Sequence, residues 1–298
     1  MELFTETKAK LAVIYAGAIW GLFWIPLRAL EHAGLQGTWI TVIYFLVPSC
    51  CLFPIFVFRW KHVRSGGANL QLTAMLAGLA LTLYSIAIIY TDVVRAMLLF
   101  YLTPIWSTLL SRAILGEIVT PIRVAAMISA VIGMLTIFGL GASFPIPENL
   151  GDWLGLCAGV VWAGAAVRLR QNSSHSSVDM TIGFFQWSLF ISAVAAFFLA
   201  PSHGPTLEQI NRVLPWLLPV MIIAIVPASY ASLWGPKFLS PGIVGLLFMS
   251  EIVVGSISAA LLSGEPFGRR EIFGIVLIAG ASLLEPIANL ISKTKETV

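Results

Sequence analysis

The chain has 298 residues, 58% of them hydrophobic and only 10% charged, with 17 Lys+Arg against 14 Asp+Glu and a formal net charge of +3. A soluble domain carries about 25% charged residues, so this chain lacks the polar surface to face water and must turn its apolar excess to lipid. The positive balance is small and no basic run is long enough to follow a phosphate backbone, which argues against a nucleic-acid partner.

In chain order, Met1 to Lys10 mixes acids and bases ahead of an apolar stretch holding Trp20, Trp24 and Pro26. It shows no small-residue cleavage site, so this segment is expected to be retained rather than removed as a signal peptide. A helix crosses roughly 30 Å of hydrocarbon with about 20 apolar residues. Stretches of that kind lie near 11–30, 39–58, 69–90, 94–113 and 122–140, and again near 153–169, 180–200, 214–234, 241–262 and 272–291. Loop chemistry separates them: Lys61 to Asn69, Gly141 to Asn149, Gln171 to Ser177 and Pro201 to Thr206. No loop is long enough for a separate domain. Cys50 and Cys51 are adjacent in one apolar run and Cys157 sits in another, which makes no disulfide framework; they are expected to be buried as small hydrophobes.

Lys and Arg are retained on the cytoplasmic side. With the N-terminus inside, Lys8, Lys10, Arg59, Lys61, Arg64, Arg112, Arg123, Arg168, Arg170, Lys237, Lys293 and Lys295 fall on the inner face. Arg28, Arg95, Arg212, Arg269 and Arg270 fall on the outer one. The imbalance predicts that both termini are cytoplasmic, with the pair Arg269 and Arg270 running against it.

The two halves repeat. An offset of 142 lays Ala16-Gly17-Ala18-Ile19-Trp20 over Ala158-Gly159-Val160-Val161-Trp162 and Leu27-Arg28 over Leu169-Arg170. An offset of 148 lays Leu98-Leu99-Phe100 over Leu246-Leu247-Phe248 and Gly116-Glu117 over Gly264-Glu265. Duplication of a five-span unit is the expectation. Five is odd, so equivalent helices would cross the bilayer in opposite senses. Such inverted repeats are a signature of secondary transporters, which expose a midplane site alternately to either side.

In the first half Tyr101-Leu102-Thr103-Pro104 is followed by Leu115-Gly116-Glu117 and then Gly133; in the second, Ser250-Glu251-Ile252 is followed by Ser263-Gly264-Glu265, Gly274 and Gly280. With these motifs the chain resembles the drug/metabolite transporter superfamily, specifically its ten-helix exporters of the EamA type. Ile252 stands where that family commonly has a proline, which removes the usual cause of a kink in span nine. Length and aromatic-rich spans look most like the bacterial inner-membrane exporters of amino acids, including aromatic ones. The resemblance implies export of a small organic solute from the cytoplasm to the periplasm.

Glu251 is the sharpest candidate, because a charged carboxylate facing lipid at mid-span would cost several kcal/mol. It is expected to face the bundle interior, either as a proton-coupling or ammonium-contacting group or as a hydrogen-bonded structural carboxyl. Trp20, Trp24, Tyr84, Tyr101, Trp106, Trp162 and Tyr230 recur at mid-depth in the helices that surround the cavity in this family, where they would stack on a flat apolar substrate. The competing reading is that they serve packing or the membrane interface. Trp20 and Trp162 lead the set, since the repeat makes them equivalents. Thr103 and Pro104 oppose Glu251 in the repeat, and Pro104 leaves one carbonyl without its helical donor, to face a cavity or to mark a packing kink. Arg95, near the outer end of span four, would attract a carboxylate, but the expectation is that it pairs with Asp92 or snorkels. Glu117 and Glu265 read as helix-end anchors. Gly17-x-x-x-Gly21 and the run Gly151, Gly155, Gly159 would admit close helix approach.

The sequence holds no G-x-x-x-x-G-K-[ST] phosphate loop, no H-E-x-x-H and no C-x-x-C. No metal, cofactor or ATP-driven step is expected, and no catalytic cluster marks an enzyme. The expectation is an all-α membrane protein of ten transmembrane helices in two inverted five-helix repeats, residues 1–145 and 146–298. It would act in the bacterial inner membrane as a secondary exporter of amino acids, aromatic or apolar. A broad drug or metabolite exporter is the alternative, followed by a channel, a membrane enzyme or a scaffold. Its partners are then a small-molecule substrate and the lipid bilayer, with a monomer as the default assembly.

Overall fold

The computed structural model describes residues 2–91, 93–138, 146–200, 204–263 and 268–296. All regular structure among them is helical. Lipid offers no partner to a backbone amide, so an apolar chain of this composition satisfies its N–H and C=O groups within helices. Among the described residues, eight helical segments are long and apolar enough to cross a membrane: Phe4–His32, Trp39–Ser65, Gly67–Tyr90, Arg95–Leu115, Leu150–Gln171, Ser177–Leu199, Leu207–Lys237 and Pro241–Leu262. A shorter apolar helix covers Pro121–Ile137. The last expected span falls in a helix over Arg269–Glu296.

Several crossings are broken helices. The first consists of α1 (Glu2–Trp20) and α2 (Trp24–His32). Pro26 has no N–H and its ring would collide with the Leu22 carbonyl. The chain tightens there, with Leu22 N–H on the Ile19 carbonyl at 3.0 Å and Phe23 N–H on the Trp20 carbonyl at 2.9 Å. Next come α3 (Trp39–Ser65) and α4 (Gly67–Tyr90), then a crossing split into α5 (Val93–Phe100) and α6 (Thr103–Leu110), and α7 (Pro121–Phe138). The second half runs α8 (Leu150–Gln171), α9 (Ser177–Leu199), α10 (Leu207–Val220), α11 (Val226–Trp234), α12 (Pro241–Phe248), α13 (Ser250–Ser263) and α14 (Arg269–Glu296). The Pro241–Leu262 segment breaks at Met249 although Ile252 stands where the resembled family has a proline. The break lies between α12 and α13, where Met249 N–H turns back to the Leu246 carbonyl at 3.1 Å and the Ser250 hydroxyl reaches the Ile14 carbonyl of α1 at 3.2 Å.

Packing partners recur in pairs across the two halves. Helix α1 packs on α11 as α8 packs on α4, and α1 lies along α12 and α13 as α8 lies along α5 and α6. Helices α3 and α9, α6 and α12, and α7 and α14 meet each other directly. Small residues allow these approaches. A Cβ at Gly21 would lie 2.5 Å from the Glu251 carbonyl oxygen, and one at Gly159 would lie 2.8 Å from that of Phe100. The Gly17/Gly21 pair therefore seats α1 against α13, and the Gly151, Gly155, Gly159 run seats α8 against the residues from Tyr90 to Thr103.

The core lies where the halves meet, with Trp20, Phe23, Tyr44, Phe45, Phe184, Phe185, Leu233 and Phe248 in one cluster. Phe58, Phe197, Phe198, Ile223 and Leu261 point outward, as expected of a lipid-facing belt. The cysteines are not buried as the sequence suggested: all three are free, Cys50 and Cys157 are exposed and Cys51 is half-buried. Their stretches are apolar on every side, so composition gave no sign of which face turns outward.

Candidate functional site

A cavity of about 730 Å³, counting its open mouth, lies between the two halves. Helices α1, α4, α5 and α6 contribute Trp20, Ala80, Leu81, Tyr84, Phe100, Thr103 and Pro104, with Phe23 and Tyr101 from the adjoining breaks. Helices α8, α9, α11, α12 and α13 contribute Trp162, Phe184, Ser229, Ser232, Leu233, Gly245, Phe248 and Glu251, with Met249 from the break between the last two. The breaks in the Arg95–Leu115 and Pro241–Leu262 segments thus both open onto this space. They stay close because Gly245 has no side chain: a Cβ there would sit 2.8 Å from the Pro104 Cα.

The walls are aromatic. Tyr84 stacks on Phe100 with ring centroids 4.4 Å apart, and Trp162 meets Phe248 edge to face at 5.6 Å. The Trp20 indole N–H donates to the Ser232 hydroxyl at 3.0 Å, which ties α1 to α11 beside the cavity. Glu251 is the carboxylate of the lining, and no Lys, Arg or His lines it among the described residues. It is half-buried and stands beside Tyr84 and Tyr101, close enough to act electrostatically on both hydroxyls. The Tyr101 hydroxyl is buried between the Glu251 carboxylate and the Tyr84 hydroxyl, both of which act on it.

Seven of the ten residues singled out from the sequence meet here: Trp20, Tyr84, Tyr101, Thr103, Pro104, Trp162 and Glu251. Three do not. Trp24 turns away, with its indole N–H on the Ser258 hydroxyl at 3.0 Å and the Arg28 guanidinium 5.3 Å from its ring. Tyr230 is 38% exposed on the outside of α11. Trp106 is half-buried, and its indole N–H is enclosed without a partner among the described residues. Mid-depth placement does not fix which way a residue faces. The carbonyl freed by Pro104 does not face the cavity either: Phe100 accepts a hydrogen bond from the Thr103 hydroxyl, and its oxygen lies against Gly159 of α8.

Phe23, Phe184, Ser229, Ser232 and Phe248 complete the wall without having been picked out as site residues. Phe248 had a signal, since the repeat aligns it with Phe100. The two serines had only their polarity within an apolar run.

Ion pairs close the ends of the bundle. Arg95 pairs with Asp152 of α8 at 2.5 Å and with Glu148 at 3.4 Å. The expected partner, Asp92, lies outside the described residues; Asp152 is 57 positions distant in sequence, which no helix-spacing rule would reach. Asp152 is fully buried and also accepts from the Thr91 hydroxyl and the Glu148 N–H. Arg59 of α3 holds Asp179 of α9 through bonds of 2.5 and 2.9 Å. Glu117 pairs with Arg123 at 3.5 Å and accepts a hydrogen bond from Ser240, so it anchors the loop before α7 to the start of α12. Its repeat equivalent, Glu265, lies outside the described residues.

A helical membrane bundle with an aromatic, singly acidic cavity between two similarly packed halves has the form of a solute carrier. The profile of the EamA-like transporter family matches residues 7–139 and again 149–284. The chain belongs to the EamA-like transporter family. It is similar to the chloramphenicol-sensitive protein RarD of Pseudomonas aeruginosa, at 24% identity over 87% of this chain and 85% of that one. It is also similar to an uncharacterized transporter of Clostridium kluyveri, at 24% identity over 84% of this chain and 83% of that one. A solved crystal structure of a protein 18% identical in sequence shares the fold, with a TM-score of 0.72 and coverage of 97% of this chain and 99% of that one.

Proposed function

We propose that the protein is a secondary exporter that moves small organic solutes out of the cytoplasm by alternating access. In this reading it has ten crossings in two inverted halves, residues 1–145 and 146–298, both termini in the cytoplasm and the bacterial inner membrane as its site. The observation that carries the proposal is the cavity shared by both halves, with a lone carboxylate among aromatic rings. Further support comes from the family profile matching once in each half, from the paired helix contacts, and from the breaks at Tyr101 and Met249, which fall at the same offset of 148 as the sequence repeat. A site built at the junction of two inverted halves opens to either side as they rock.

Two substrate classes fit an aromatic cavity. Aromatic or apolar amino acids come first from the sequence resemblance. Hydrophobic amines of the drug or metabolite type are favoured by the lone carboxylate. In either case Glu251 is the group that touches the substrate's ammonium or carries a coupling proton. Counterflow in proteoliposomes tests the proposal: external labelled solute should accumulate transiently when unlabelled solute is preloaded inside. A channel would give no accumulation. Glu251→Gln should abolish any dependence of flux on a proton gradient, and full gradient-driven flux in that variant would remove the coupling role.

A further inference from the structure

Resting on the reading of the cavity as the transport site, we infer that it selects by charge, taking organic monocations with an aromatic or apolar body and discriminating against zwitterions and anions. An amino acid brings a carboxylate as well as an ammonium, and in a water-poor site each needs its own partner. The cavity provides for one and not the other.

The donors show this most directly. A serine or threonine hydroxyl has one proton to give. Ser229 gives its proton to the Ile225 carbonyl at 2.8 Å, Ser232 to that of Ala228 at 2.9 Å, and Thr103 to that of Phe100. The Trp20 indole N–H is engaged by Ser232. The Tyr101 hydroxyl is turned to the Glu251 carboxylate and the Tyr84 hydroxyl, where a second carboxylate would meet like charge. The arginines nearest in sequence to the fourth crossing's lining, Arg95 and Arg123, are paired with Asp152 and Glu117 at the ends of the bundle and line no part of the cavity. A substrate carboxylate therefore meets no cation, and the donors left to it are the neutral Trp162 indole N–H and the Tyr84 hydroxyl, the latter already turned to Tyr101 beside Glu251.

A cation meets the reverse. Glu251 accepts from an ammonium or faces a quaternary nitrogen as a counter-charge. The rings of Tyr84, Phe100, Trp162 and Phe248 surround it with π-faces that attract positive charge and stack on an apolar body. Wrong-charge contacts discriminate strongly in such a site.

The test uses three probes that share a phenyl body: trimethyl(2-phenylethyl)ammonium, phenylalanine and phenylacetate. Each is titrated calorimetrically against the purified full-length wild-type protein and then used in counterflow. The ammonium should bind at least about tenfold more tightly than phenylalanine, and phenylacetate should show no saturable binding. Glu251→Gln should remove that preference, whereas Glu251→Asp, which keeps the charge, should retain most of it. Phenylalanine binding as tightly as the ammonium to the wild type overturns the inference and leaves the transport reading standing. Failure of all three probes to bind or exchange overturns both. The wild-type comparison stands whether or not the variants fold.

Discussion

Gly133 and Gly274 meet backbone to backbone: a Cβ on either would lie 2.7 or 2.6 Å from the other's carbonyl oxygen. That contact seats α7 against α14, the fifth helix of one half against the last of the other. Neither backbone can retreat without separating the helices. Gly133→Val should destabilise the protein by about 1–3 kcal/mol through overpacking. The check is the midpoint of thermal unfolding in detergent, with Gly164→Ala, where a Cβ meets nothing within 4 Å, as the tolerated control. An unchanged midpoint in Gly133→Val would mean that the two helices are not held in this register.

The buried carboxylate of Asp152 holds Arg95, Thr91 and the Glu148 amide at once. Removing its charge takes the buried counter-charge from a guanidinium that is only 18% exposed, leaving it the solvent-exposed Glu148 and the Ile146 carbonyl. Breaking such a pair by removing one partner costs roughly 3–5 kcal/mol, so Asp152→Asn should lower the unfolding midpoint sharply. Glu148, 64% exposed, contributes to the same arginine from solvent, and Glu148→Gln should cost less than about 1 kcal/mol. Equal losses in the two variants would contradict the assignment of Asp152 as the principal partner.

Thr103 takes the carbonyl that Pro104 leaves without a helical donor. Thr103→Val keeps the shape and removes the hydroxyl, leaving the Phe100 oxygen unsatisfied beside Gly159 at a cost of about 1–3 kcal/mol. Thr103→Ser should restore stability and counterflow alike. Full activity and stability in the valine variant would show that the hydroxyl is dispensable to the break.

These contacts also mark how far the sequence was legible. Membrane class and the positions of most spans follow from composition and length of apolar runs, because lipid imposes helices on any such chain. The convergence on the cavity was within reach by three routes: the repeat pairs Trp20 with Trp162, the family resemblance points to the helices of Tyr84 and Tyr101, and a mid-span carboxylate such as Glu251 must turn from lipid. Helix rotation was not. Ser229 lines the cavity while Tyr230, its neighbour, turns out of it; successive residues on a helix stand about 100° apart, and an all-apolar helix carries no polar stripe to fix the angle. Long-range pairing was equally hidden. Arg95 reaches Asp152 across the boundary between the halves, and no local spacing announces that.

The proposed inversion of the two halves makes a prediction about topology. Reporter domains fused after residue 145 and after residue 290 should lie on opposite faces of the membrane, the first outside and the second in the cytoplasm. Reporters on one face would remove the inverted relationship between the halves.

The most direct measurement is the accessibility of the cavity itself. Ser229→Cys, in a chain whose Cys50, Cys51 and Cys157 have been replaced, places one thiol on the cavity wall. A membrane-impermeant maleimide, applied separately to right-side-out and inside-out vesicles, should label it from both faces. A bound substrate should protect it from each. Labelling from a single face under every condition would contradict alternating access through this cavity.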